Sequence, residues 1–134
     1  MTKKLSPDDF GILDKAEEGI KLPLTLPDGT ETEEYLVIRG TDSRVFKQKQ
    51  ARLQKRKLDF LREKSNREDP DKLLDFETET ERELIASLVA GWSFEKDCTE
   101  SAVIEFLRKA PQIQESLDLT AADRSLFFAG TSAS

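Results

Sequence analysis

The groups that could do chemistry are few. The sequence holds one cysteine, Cys98, and no histidine. Without an imidazole the thiol lacks its usual activating base, and the commonest metal ligand is missing as well. Cys98 is therefore expected to be a packed or capping residue. Carboxylates are plentiful, but they sit in runs such as Glu77-Thr78-Glu79-Thr80-Glu81. A solvated helix start accounts for such a run, whereas paired acid–base work needs burial that separates two pKa values. The acidic stretch Arg67-Glu68-Asp69-Pro70-Asp71-Lys72 lacks the central glycine and the terminal glutamate of a calcium loop. Pro27-Asp28-Gly29-Thr30 is turn chemistry and no phosphate cradle. The expectation is a protein that is not an enzyme and has no metal, no cofactor and no catalytic residues.

Composition narrows the class further. Of 134 residues, 37% are hydrophobic and 36% charged, which allows a modest core with long solvated helices around it. The net charge of −6 argues against nucleic acid or an anionic membrane as the main partner. The charge is blocked. Residues 44–64 carry nine basic and two acidic groups, net +7, while 65–83 carry three basic and eight acidic, net −5. The basic block should therefore lie against an acidic one. No stretch approaches the roughly 18 apolar residues of a membrane span. The N-terminal Met1-Thr2-Lys3-Lys4 has no apolar run behind it and is not expected to be a signal peptide. A lone cysteine fits a reducing cytoplasm.

The elements follow from local pattern. Ser6-Pro7-Asp8-Asp9 opens a short helix weakened by Gly11 and Gly19. Leu22, Leu24 and Leu26 alternate with Pro23 and Thr25, Tyr35 to Ile38 favour a strand, and Pro27-Asp28-Gly29 turns between them. This predicts an antiparallel hairpin with Pro23 on an edge strand. Asp42 or Ser43 then caps a long helix to about Lys64, whose apolar seam is thin: Phe46, Leu53 and Phe60 at seven-residue spacing. Asn66 to Lys72 read as a loop in which Pro70 can begin the next turn of helix, and a capping box, Thr78 with Glu81 or Thr80 with Glu83, starts a helix striped by Leu84, Ile85, Leu88 and Val89 and stopped at Gly91. Thr99 caps the next helix, which ends before Pro111. Pro111 opens a last helix lined by Ile113, Leu117, Leu126, Phe127 and Phe128. The fold class is mainly α: a small N-terminal β-hairpin followed by a long charged helix and three shorter helices. Residues 1–128 form one domain, with a hairpin-containing part at 1–43 and a helical part at 44–128. Residues 129–134 are expected to be a flexible tail.

The apolar residues of the C-terminal third exceed what so small a fold readily hides. Trp92 is expected first as a core plug packed under Phe94, and second as an anchor for a partner. Phe127 and Phe128 diverge by about 100° on a helix, so one of the two should face outward. Candidate partner-binding residues are Leu84, Leu88, Trp92, Phe106, Leu107, Ile113, Leu117, Phe127 and Phe128, together with Val103. Some of them must form the core instead. The basic helix 44–64 is expected to pair with acidic neighbours. The alternative is a small nucleic-acid-binding regulatory adaptor that uses this helix.

The run from Glu83 to Phe128 resembles the C-terminal half of the tail assembly chaperones of long-tailed bacteriophages. The shared pattern is an apolar segment ending in Gly91-Trp92-Ser93, a loop with Thr99 starting a helix, then Pro111-x-Ile113 and a terminal aromatic. Leu26 to Phe46, with its turn, strand and Gly40-Thr41-Asp42-Ser43, resembles the N-terminal part of such proteins. The two segments, with the order of their motifs, cover about half of the chain. The resemblance implies a mainly helical protein in the host cell cytoplasm. It would coat the hydrophobic helical tape measure protein, keep it in solution and promote assembly of the tail tube. It also implies contact with the tail tube protein through a longer, frameshifted form, this chain being the short one, and a homo-oligomer. No catalytic residue and no membrane or nucleic-acid contact carries over.

Overall fold

The computed structural model describes residues 4–130. Residues 131–134 of the expected tail lie outside the described residues.

A single turn of 3-10 helix, Pro7–Phe10, is capped reciprocally by Ser6 and Asp9, and a short helix α1 follows at Leu13–Glu18. Gly19 joins α1 to the sheet with φ +83°. A Cβ there would stand 2.5 Å from the carbonyl oxygen of Ile38, so the joint requires glycine. Strand β1, Ile20–Thr25, buries Ile20, Leu22 and Leu24 and exposes Lys21, Pro23 and Thr25, which is the period-two pattern of a half-buried strand. Gly29 (φ +89°) and the Asp28 carboxylate, which accepts from the Thr30 amide, shape the turn into β2, Glu31–Ile38. The pairing is antiparallel, Ile20 opposite Ile38, and Pro23 sits on the edge strand as its missing donor demands.

The sheet has a third strand that the local pattern does not predict. Val89–Trp92 is β3, antiparallel to β2, with Leu36 opposite Trp92 and Val37 opposite Gly91. The expected helix through Val89 to a left-handed stop at Gly91 is thus corrected: the helix ends at Ala86, and Gly91 has no positive φ. The physical reason is non-local. The second edge of β2 carries unpaired amides and carbonyls, and β3 satisfies them; the Arg39 amide adds a bond to the Leu88 carbonyl. The strand order β1-β2-β3 leaves β2 central, with Leu36 and Ile38 fully buried.

Helix α2, Arg44–Leu61, is capped by the fully buried Ser43, whose hydroxyl accepts from the Phe46 amide. It stops three residues before Lys64, and a short α3, Lys64–Glu68, follows. Asn66 and Arg67 of α3 donate back to the carbonyls of Phe60, Leu61 and Arg62, which α2 would otherwise leave without partners. Helix α4, Pro70–Ala86, begins with Pro70 in its first turn and Asp69 as its cap, accepting from the Asp71 and Lys72 amides. The Thr78 and Thr80 capping boxes are therefore not used, and Thr80 lies mid-helix with its hydroxyl donating to the Phe76 carbonyl. Helix α5, Glu100–Lys109, is capped by Thr99 and stops before Pro111.

The expected last helix is two. α6 spans Pro111–Ala121, and α7 spans Arg124–Ala129 behind an Asp123 cap and ends at the left-handed Gly130. One straight helix of this length would reach about 27 Å and carry Phe127 past the core. The break folds it back, and Phe127 is buried against Gly40. One cluster collects Leu22, Leu36 and Ile38 from the sheet with Leu88, Leu107, Leu117 and Phe127. Leu53 is buried but lies outside that cluster, on the arm that α2 and α4 form with α3 at its tip.

Candidate protein-docking surfaces

The nine expected partner-binding residues divide sharply. Leu88, Leu107 and Leu117 have no exposed surface, and Ile113 and Phe127 are buried too. These five are corrected to core, as is Val103: each faces the sheet or the inner side of its helix, and a client cannot reach it. Leu84, Trp92 and Phe106 are half-buried, and Phe128 is 49% exposed. Phe127 and Phe128 do diverge, one inward and one outward. Lys15 of α1 lies 4.0 Å from the Phe128 ring centre, and its ammonium donates to the Phe128 carbonyl.

Trp92 and Phe106 are brought together. Phe94 stands between them, edge-on to Trp92 at 5.2 Å and to Phe106 at 5.4 Å, and Trp92 meets Phe106 at 6.1 Å. The end of β3 supplies Trp92, the following loop supplies Phe94, and α5 supplies Phe106 through the same amphipathic face that buries Val103 and Leu107. Ser93 fixes the loop: its amide donates to the Tyr35 carbonyl, its hydroxyl accepts from the Tyr35 amide and donates to Glu34 at 2.6 Å. The indole N–H is spent internally, on the Lys96 carbonyl at 2.6 Å. What the half-buried triad presents outward is ring surface. The expectation that Trp92 packs with Phe94 holds, and the plug remains partly open.

A second surface lies on the arm, and only Leu84 of it was expected. A groove of about 310 Å³ runs between α2 and α4. Its floor is Leu53, Phe76 and Leu84; α2 supplies a wall of Gln50, Gln54 and Lys57, and α4 supplies Glu77 and Glu81. No residue from any other element lines it. Phe76 was the missed residue. The signal was the Asp69-Pro70 start, which puts Phe76 on the same helical face as Leu84, eight positions on. On the arm, the Phe60 and Phe76 rings stack at 4.1 Å.

The basic block does lie against acid. Lys49 reaches Glu83 at 3.1 Å and Glu100 at 3.3 Å, and Arg56 grips Glu83 through both terminal nitrogens, the shorter contact being 2.6 Å. Glu83 is held below the ordinary carboxylate range, first by the Arg56 hydrogen bond and then by that of Lys49, against the burial that opposes them. Lys57, Glu77 and Glu81 form no ion pair among the described residues.

Cys98 is exposed and caps nothing, since Thr99 caps α5; this corrects both expected roles. The partial burial of its thiol pushes its pKa up, which disfavours the reactive thiolate. Among the described residues no cluster of acidic, cysteine or histidine side chains is placed to hold a metal ion. No helix among them is long and apolar enough to cross a membrane.

The chain matches no protein-family model, no curated protein and no solved structure.

Proposed function

We propose that this chain is a non-enzymatic assembly chaperone of the kind that serves long-tailed bacteriophages. It binds a hydrophobic helical client, the tape measure protein, and keeps it in solution while tail tube subunits assemble around it. The observation that carries this reading is the half-open triad Trp92–Phe94–Phe106, an apolar recognition surface on a strongly charged, acidic chain. Aromatic side chains of this kind anchor partners, and the surrounding charge opposes nonspecific association. The order of Gly91-Trp92-Ser93, Thr99 and Pro111-x-Ile113 supports it by resemblance. Such a chaperone would act in the host cell cytoplasm, as a homo-oligomer, with the tail tube protein met through a longer form of the same chain. The rival reading as a nucleic-acid adaptor draws less support, because Lys49 and Arg56 of the basic helix are spent on Glu83 and Glu100.

The test is co-expression with a tape measure protein. A soluble complex that co-elutes is expected, and Trp92→Asp with Phe94→Asp should return the client to the insoluble fraction. A client that stays insoluble beside the unaltered chain overturns the reading. Retention on DNA that salt abolishes, and that Lys55→Glu with Lys57→Glu removes, would establish the rival.

A further inference from the structure

The arm groove carries opposite signs on its two walls. Lys57 stands on the α2 side, and Glu77 and Glu81 on the α4 side, over a floor of Leu53, Phe76 and Leu84. None of the three charges is spent on an ion pair among the described residues, and no other element roofs the groove. α2 and α4 run antiparallel with Phe60 stacked on Phe76, so Lys57, one turn beyond Leu53 toward the tip, lies at a height between Glu77 and Glu81.

A surface of this kind is its own complement about one axis only. A two-fold axis across the arm would lay α2 on α2 and α4 on α4, so that each charge met its like. A two-fold axis along the arm keeps heights and exchanges sides, so that α2 lies over α4 and each charge meets its opposite. We propose that a second copy of this chain seats on the groove in this second way, the two arms parallel, Lys57 of each copy meeting Glu77 and Glu81 of the other. The apolar floors then close on one another and form a short four-helix bundle. The polar wall positions cost stability but set the register, as polar residues do in a coiled-coil seam. This inference rests on the self-association proposed above and not on the identity of the client.

The experiment is light scattering after size exclusion, together with circular dichroism to show that each variant keeps its helices. The unaltered chain should elute as a dimer that weakens with salt. Lys57→Glu alone, and Glu77→Lys with Glu81→Lys, should each weaken self-association by about tenfold or more, because both crossings then oppose like charges. Mixing the two reversed chains should restore the dimer, since opposites then meet at both crossings. A monomeric unaltered chain overturns this proposal and self-association together. An unaltered dimer indifferent to both reversals overturns the arm surface alone. Client capture is read separately through Trp92 and Phe94, so a dimer that captures no client counts against the chaperone reading and leaves this one standing.

Discussion

The body and the arm of this molecule are built from similar helices and held by different forces. In the body, Leu36, Ile38, Leu88, Leu107 and Leu117 have no exposed surface and belong to one cluster. In the arm, beyond the helix ends where Phe46, Ile85 and Ala86 join that cluster, α2 and α4 offer one buried leucine, one stacked pair of rings and a knot of ions around Glu83. Apolar burial is non-directional and large, whereas partly exposed ion pairs are weak and screened by salt. The body should therefore unfold as a unit, and the arm should open on its own before it. The difference teaches where charge is tolerated: a helix with a thin seam can remain a helix if a neighbour supplies counter-charges at the right height.

The largest expected effect tests the body. Leu107→Ala should cost about 3 kcal/mol by urea denaturation, because its cavity opens where nothing can collapse. A loss below about 1 kcal/mol would mean that the body is as loose as the arm. Gly19→Ala comes next, at about 2 kcal/mol, since its positive φ and the Ile38 carbonyl leave no room for a Cβ. The joint between α1 and β1 should lose hydrogen-exchange protection first.

On the arm, Phe60→Ala removes half of the ring stack and should cost about 1 to 2 kcal/mol. Hydrogen exchange should show that loss in α2 to α4 while the sheet amides stay protected. Equal loss in the sheet would erase the proposed division. Glu83→Gln should cost about 1 kcal/mol at neutral pH. Its pH dependence has a fixed sign. The folded pKa of Glu83 is held below its ordinary value of 4.5, so the stabilisation is complete above that value and is lost as pH falls through the lowered one. The arm of the unaltered chain should loosen across that window, and that of the glutamine variant should respond less there, Glu79 with Arg108 and Arg82 keeping the remaining sensitivity. Smallest is Arg124→Ala, which removes the two-pronged grip on Asp42 at 2.7 and 2.9 Å. Arg124 is largely exposed, so only a small loss, with fraying confined to α7, is expected.

Several local signals carried through to the structure, though not the Gly91 stop or the Thr78 and Thr80 capping boxes. The Ser43 and Thr99 caps, the proline starts and the alternation of β1 are short-range chemistry, and each stands in the structure as the residues suggested. So does the meeting of the basic and acidic blocks, because two adjacent blocks of opposite sign need only a turn to find each other. The Asp69-Pro70 signal was equally local but stood beside two capping boxes, and a single sequence gives no weight with which to choose. Among the candidate docking residues the periodicity identified apolar faces correctly and could not say which face would be covered.

What the chain determined by itself, then, is its inventory: few reactive groups, the starts of α2, α5 and α6, the hairpin, and the outward turn of either Phe127 or Phe128. Only the tertiary structure decided that Val89–Trp92 is a strand, that the last helix breaks at Asp123, and that Leu88, Leu107, Ile113, Leu117 and Phe127 lie inside while Trp92, Phe106 and Leu84 keep an open side. The reason is physical. Caps and turns are satisfied by atoms within a few residues, whereas an unpaired strand edge or a vacant core position is filled by whatever segment folding brings to it.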